Sequence, residues 1–215
     1  MTEAVIFDLD GVIVDSEQVW DEVREQYTVE AGGRYSQTAT RAMMGMSSTE
    51  WSTYMAEELA LPGSPEEINA AIVQRMLARY GEAPPLIDGA ADVVRSIAEA
   101  VPVAIASSSN PELIDVVLRV AGLADVVRDA VSSQEVPRGK PSPDVYLEAA
   151  RRLGVDPTRT TAVEDSHNGI RSAKDAGMRV FAVPNPHYPP GDDALALADV
   201  VLGSLDELTP AVVRG

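Results

Sequence analysis

The chain has no cysteine among its 215 residues, which excludes disulfides, thiolate metal ligands and a cysteine nucleophile. It has only two histidines, His167 and His187, too few for a histidine-rich zinc site. Lysine is equally scarce: Lys140 and Lys174 are the only ones. No apolar run approaches the ~18 residues that would cross a bilayer, and no basic segment precedes the first apolar run, so a soluble, cytoplasmic protein without a membrane partner is expected. Positive charge is in deficit overall, with 17 Lys and Arg against 34 Asp and Glu and a net charge of -17. Such a field argues against a nucleic-acid partner, because phosphate backbones are held by clustered basic residues. An anionic small molecule would also be repelled at long range, so a local cation or a metal must compensate at any site that takes one.

What is present is sufficient for a folded core: 45% of the residues are hydrophobic, and the length allows one large domain or two modest ones. The stretch Val5 to Ser16, V-I-F-D-L-D-G-V-I-V-D-S, stands out. Its apolar start reads as a strand buried on both faces, as in a parallel sheet. Carboxylates at the end of such a strand are costly to bury unless paired or bound to a cation. Asp8 and Asp10 lie two apart, which puts both side chains on one side of an extended chain, although Gly11 is positioned to bend it. The same D-x-D-G is equally the spelling of a plain turn.

Beyond it, residues 16 to 83 carry helical signals only. A helix is expected to start at Asp15 or Ser16, with Asp15 and Gln18 at capping-box spacing, and Ser47 with Glu50 and Ser64-Pro65-Glu66-Glu67 each have the spacing of a helix start. Val19, Trp20, Val23 and Tyr27 make one apolar stripe, Trp51, Tyr54, Met55 and Leu59 a second, and Ile68, Ile72, Val73, Met76 and Tyr80 a third. Gly32-Gly33, Gly45, Pro62-Gly63 and Gly81 are the expected stops, and the stripes read as core. After Pro84-Pro85 the pattern alternates. Helices are expected over 89–100, from Pro111 to Gly122, from a Ser142 cap to Gly154, and up to Gly177. Strands are expected over 102–106, near Ala130 and Val131, over 160–163 and over 179–183, with a last strand and short helix between Asp199 and Leu208. This alternation predicts an α/β fold, a doubly wound parallel sheet, with an all-helical segment inserted after the first strand. The expected division is 1–15 and 84–215 for the sheet-bearing core and 16–83 for the insertion.

Ligands of such sheets bind outside the carboxyl ends of the strands, near the switch point. That rule gathers Asp8 and Asp10, Ser107, and Glu164 with Asp165 into one crevice, within reach of Lys140. Two acidic pairs, a hydroxyl and a cation are the parts for metal-assisted phosphoryl transfer. Taken singly, each has a plainer reading: Ser107 to Asn110 as a helix cap, Lys140 as a solvated loop cation, Glu164-Asp165-Ser166 as an acidic helix start.

Four segments in order, F-D-L-D-G-V-I-V-D-S at 7–16, I-A-S-S-S-N at 105–110, G-K-P-S-P-D-V-Y at 139–146 and V-E-D-S-H-N-G-I at 163–170, resemble the motifs of the haloacid dehalogenase superfamily of phosphatases, in the subgroup with β-phosphoglucomutase and sugar-phosphate phosphatases. The resemblance covers essentially the whole chain. It implies that Asp8 is a nucleophile that becomes phosphorylated and that Asp10 is the general acid and then the base. It implies that Ser107, Ser108, Asn110 and Lys140 hold phosphoryl oxygens. It further implies Mg²⁺ held by Asp8, Asp165 and the Asp10 carbonyl, with Glu164 orienting its waters. The substrate would be a small phosphorylated metabolite, and a monomer fits this architecture. Residues 16 to 83 would form a closing cap in which Trp20, Arg41, Ser47 and Ser48 are candidates to meet substrate.

Departures from the family narrow the choice. Dehalogenases lack an acid two residues beyond the nucleophile, so Asp10 argues against that activity. Phosphonate-cleaving relatives need a cap lysine, and residues 1 to 139 contain none. The mutase holds its far phosphate with a cap cation after a G-x-S segment; here Gly45-Met46-Ser47 is followed by Ser48, and Trp20 stands in place of a mutase histidine. Arg41, Arg75 or Arg79 are possible substitutes, which keeps a phosphosugar mutase as the alternative to a phosphatase. A non-catalytic phosphometabolite-binding module, or a structural subunit whose crevice only takes up a cation, are remoter readings.

Overall fold

The computed structural model describes residues 1–44, 46–185 and 189–214; the expected stop at Gly45 and the second histidine, His187, lie outside them. The first strand, β1 (Ala4–Phe7), is followed by four helices: α1 (Glu17–Glu30), α2 (Gln37–Met43), α3 (Ser48–Glu57) and α4 (Pro65–Glu82). Then come α5 (Ala90–Ala98), β2 (Val103–Ser107), α6 (Pro111–Val120), β3 (Val127–Ser132), α7 (Asp144–Leu153), β4 (Thr160–Glu164), α8 (His167–Asp175), β5 (Arg179–Ala182), α9 (Asp192–Leu195), β6 (Val200–Val201) and α10 (Pro210–Arg214). The six strands pair in parallel in the order β3-β2-β1-β4-β5-β6. Strand order therefore reverses between β1 and β4, which makes the mouth between them the switch point of a doubly wound sheet.

Side-chain alternation divides the sheet between two cores. Val5, Phe7, Val103, Ile105, Val163 and Phe181 face one side, while Ile6, Ala104, Ala106, Ala162, Val180 and Ala182 face the other. Small residues dominate the second face, where alanines of α7 and α8 join the same cluster. The first face continues without a break into Trp20, Trp51, Met55, Ile68, Met76 and Tyr80 of the inserted helices. The chain leaves and re-enters the sheet-bearing part side by side: Asp15 N donates to Pro85 O at 2.8 Å, Ile87 N to Ile13 O at 2.9 Å, and Val14 bridges Leu86.

Two helix starts form as their sequences predict, with complete capping boxes at Ser47 with Glu50 and at Ser64 with Glu67. Two do not. Ser16, not Asp15, precedes α1, and its hydroxyl makes no cap bond because it donates to Asp10 Oδ1 at 2.6 Å. Pro143 precedes α7, and the Ser142 hydroxyl donates to the Asp144 carboxylate. The edge strand β3 is longer than the pair Ala130-Val131 suggests, because Arg128 and Asp129 interrupt its apolar pattern on a half-exposed edge. α9 and α10, at four and five residues, are too short to show a helical period in sequence. Ser64→Ala should remove a cap contribution of about 1 kcal/mol, seen as a melting temperature lower by about 2–4 °C for a chain of this size.

Candidate active site

Register brings the polar strand ends to one level. Phe7 lies opposite Ile105 on β2 and Val163 on β4, so Asp8 emerges beside Glu164, anchored by its N–H to Val163 O at 2.9 Å. Lys140 arrives from the loop before α7 and is buried with its Nζ 2.9 Å from Asp8 Oδ1 and 2.6 Å from Glu164 Oε1. Glu164 is saturated. Oε1 also accepts from the Tyr146 hydroxyl at 2.9 Å, and Oε2 accepts from Asp165 N, Ser166 N and Ser166 Oγ at 3.0, 3.1 and 3.0 Å. Asp8 Oδ1, by contrast, has the ammonium close by but no hydrogen bond of good geometry.

Two glycines make this packing possible. A Cβ on Gly169 of α8 would sit 1.8 Å from Glu164 Oε1, so only glycine lets the helix pass that carboxylate. Gly11 has φ +79° and its missing Cβ would lie 1.9 Å from Asp165 Oδ2, which adds a close approach to a left-handed backbone.

Charge in this pocket does not balance. Asp8, Glu164 and Asp165 are all buried, with one ligand oxygen each within 4.8 Å of the others, and among the described residues Lys140 is the only cation paired with them. Burial, followed by the Glu164 charge, pushes the Asp8 carboxyl up to about 8 despite the opposing pull of Lys140. Burial, Glu164 and Asp8 likewise raise Asp165 well above the usual carboxylate range. Burial alone would lower the Lys140 ammonium, but Asp8 and Glu164 outweigh it and the net shift is upward. Three carboxylates against one ammonium, an all-oxygen donor set and an under-satisfied Asp8 Oδ1 fit a hard divalent cation.

Asp10 stands apart from this group. Its Oδ1 accepts from Ser16 Oγ at 2.6 Å, and its Oδ2 from Ser109 Oγ at 2.7 Å and Ser107 Oγ at 3.2 Å. The Ser107 hydroxyl also accepts from Ser109 N at 3.0 Å, so it braces the Asp10 loop against β2. Asp8, Asp10, Ser108, Lys140 and Asp165 line one cavity of about 270 Å³. Asn110 does not line it: its side chain turns to α4, where Nδ2 donates to Asn69 Oδ1 at 3.4 Å.

The four candidates on the inserted helices separate. Trp20 lines a smaller cavity that adjoins Asp10. Ser47 is held in its capping box by Glu50, and Ser48 Oγ accepts from Gln134 Nε2 at 2.7 Å, tying the insertion to the sheet-bearing part; both line an outer groove. Arg41 is exposed on the last turn of α2 and lines neither of the cavities beside Asp10. Sequence reasoning missed Tyr146, Ser16, Ser109 and Arg24. Tyr146 ends the segment G-K-P-S-P-D-V-Y, so its position was visible there, while Ser16 read only as part of a helix start.

The chain matches the haloacid dehalogenase-like hydrolases over residues 2–177. It is 35% identical to hexitol phosphatase B of Escherichia coli K12 over 99% of this chain and 96% of that one. It is 30% identical to a phosphorylated carbohydrates phosphatase of Thermotoga maritima over 84% and 85% of the two chains. Among solved structures, CbbY from Rhodobacter sphaeroides in complex with phosphate superimposes with a TM-score of 0.87 at 27% identity, over 97% of this chain and 96% of that one.

Because the folded pKa of Asp8 lies above the unfolded value near 3.9, its contribution to stability is greatest at low pH and is lost as pH rises through about 8. The melting temperature of chelator-treated protein should fall between pH 6 and 9, and Asp8→Asn should flatten that slope. Gly169→Ala should displace the Glu164 carboxylate and lower the melting temperature measurably.

Proposed function

Because the chain belongs to the haloacid dehalogenase-like hydrolase family, we propose that it is a Mg²⁺-dependent phosphatase of small phosphorylated metabolites, of the sugar-phosphate type, working through a phosphorylated Asp8. The observation that carries this reading is Lys140 bridging Asp8 and Glu164 at the sheet's switch point, with Asp10 held two residues from Asp8 by three hydroxyls. The names of the relatives, phosphatases of hexitol phosphates and of phosphorylated carbohydrates, support the substrate type.

Asp8 and Asp165 would hold the ion, with Glu164 behind them. When bound, Mg²⁺ offsets the excess negative charge and polarises the phosphoryl oxygens. Lys140 orients Asp8 and neutralises equatorial oxygens as charge builds there. A carboxylate oxygen of Asp8 bonds to phosphorus as the bond to the ester oxygen breaks, and Asp10 gives its proton to that leaving oxygen. Asp10, now a carboxylate, takes a proton from the water that attacks the phosphoaspartate. The bond from phosphorus to Asp8 then breaks, releasing inorganic phosphate and restoring both carboxyl groups. Ser108 and Lys140 face the phosphoryl group, while Ser107, Ser109 and Ser16 hold Asp10 in line.

Residues 16–83 act as the cap over this cavity, and the paired crossings at 12–16 and 84–87 are where it turns. Closure excludes bulk water and selects the leaving group.

Purified protein should release phosphate from sugar phosphates and from an aryl phosphate with Mg²⁺, and release should stop with chelator. Asp8→Asn should remove turnover, and Asp10→Asn should lower kcat by about 10²–10⁴-fold. Undiminished phosphate release by Asp8→Asn would overturn the assignment.

A further inference from the structure

Arg24 lies on α1 one turn beyond Trp20 and is only 6% exposed. A buried guanidinium ordinarily has a carboxylate partner, because its charge and five donors are costly to desolvate. Among the described residues Arg24 has no ion pair and no hydrogen bond, and its Nε is buried without an acceptor. It is held by the faces of two aromatic rings: its Cζ lies 4.8 Å from the centre of Trp20 and 5.1 Å from that of Trp51, whose rings are 5.8 Å apart. Cation–π contacts of this kind stabilise the charge but leave its in-plane N–H donors unused.

Arg24 also lines a cavity. It has a volume of about 50 Å³ and is lined by Arg24, Trp20, Trp51, Glu17, Asp10 and Ser108, among others. Asp10, Glu17 and Ser108 also line the larger cavity that contains Asp8 and Lys140. A phosphoester with its phosphorus at Asp8 and its leaving oxygen at Asp10 therefore has one place beside Asp10 where the leaving group meets Arg24.

The lining specifies the chemistry of that group. Arg24 only donates, and Glu17 as a carboxylate only accepts. A second phosphate or a carboxylate would satisfy Arg24 but would offer only acceptors to Glu17. A hydroxyl both accepts from Arg24 and donates to Glu17, and the C–H faces beside it pack on indole rings. We propose that Arg24 is the specificity residue for the leaving group, and that it selects phosphomonoesters of polyhydroxylated alcohols by donating to their hydroxyl oxygens. This rests on the phosphatase reading above.

The test uses one pair of six-carbon substrates, glucitol 6-phosphate with its hydroxyls and hexyl phosphate without them. The readout is the ratio of their kcat/KM values in the wild-type chain and in Arg24→Met, whose unbranched side chain still fills the gap between the rings. The ratio should fall at least about tenfold, because a site built to bond hydroxyls discriminates through them. A ratio unchanged within about threefold overturns the proposal. Arg24→Lys keeps the charge and loses the fork, and should lower the ratio in the same direction if Arg24→Met does not fold. A second readout needs no turnover. Trp20 and Trp51 are the only tryptophans in the chain, so intrinsic fluorescence comes from the two rings around Arg24. In Asp8→Asn protein, glucitol 6-phosphate should change that emission, and adding Arg24→Met should weaken the titration about tenfold or more; an equal titration in both overturns the proposal. If wild-type protein hydrolyses none of these esters nor an aryl phosphate, the phosphatase reading has failed, and the fluorescence titration still decides the role of Arg24.

Discussion

One buried ammonium organises the catalytic end of the sheet. Lys140 touches the carboxylates that terminate two adjacent strands, Asp8 after β1 and Glu164 at the end of β4. Its charge is why two carboxylates can be packed so closely, and its geometry fixes the side of Asp8 that stays open. Glu164 is then locked by four further donors, and that rigidity requires Gly169 at the start of α8. The arrangement remains short of positive charge. Burial and the neighbouring carboxylates raise the pKa of Asp8 and Asp165, and the excess carboxylate suits a divalent cation. The scarcity of lysine in the sequence is thus mirrored at the site.

Much of this architecture is legible in the sequence because buried parallel strands announce themselves as apolar runs, and polar residues ending such runs must converge at a switch point. That reasoning reaches Asp8, Asp10, Lys140 and Asp165 and the helical insertion. It does not reach interactions that depend on tertiary approach. Ser16 resembles a helix cap until the Asp10 loop folds back onto it, and nothing in I-A-S-S-S-N foretells that Asn110 meets Asn69 of α4. Arg24 lies outside the Val19, Trp20, Val23 and Tyr27 stripe that reads as core, yet it is buried. What the pattern cannot express is that the buried group is a cation seated on two indole rings, with no ion pair or hydrogen bond among the described residues. The partners of Ser47 and Ser48 are hidden in sequence for a related reason: one hydroxyl caps its own helix through Glu50, and its neighbour bonds across to Gln134.

The two cavities beside Asp10 divide the chemistry of a phosphoester between them. One is lined by the charged groups Asp8, Lys140 and Asp165, the other by the two indole rings and Arg24. In the proposed function the first acts on phosphorus and the second on the leaving group. Asp10 borders both, as a proton donor to the bond between them must. Hydroxyls of Ser16, just before α1, and of Ser107 and Ser109, at and just after the end of β2, hold it there, so both sides of the crossing contribute to its position.

The unbroken apolar core between sheet and insertion bears on how far such a cap can travel. Phe7 of the central strand and Trp20, Trp51 and Met76 of the helices belong to a single cluster. A wide swing would expose that surface at a cost of roughly 25 cal/mol per Å², whereas the polar links at Ser48 and Asn69 exchange readily with water. The inexpensive motion is therefore a small tilt that breaks the rim and keeps the hinge side packed. If residues 16–83 close over the site as proposed, this shared core holds them to a short stroke.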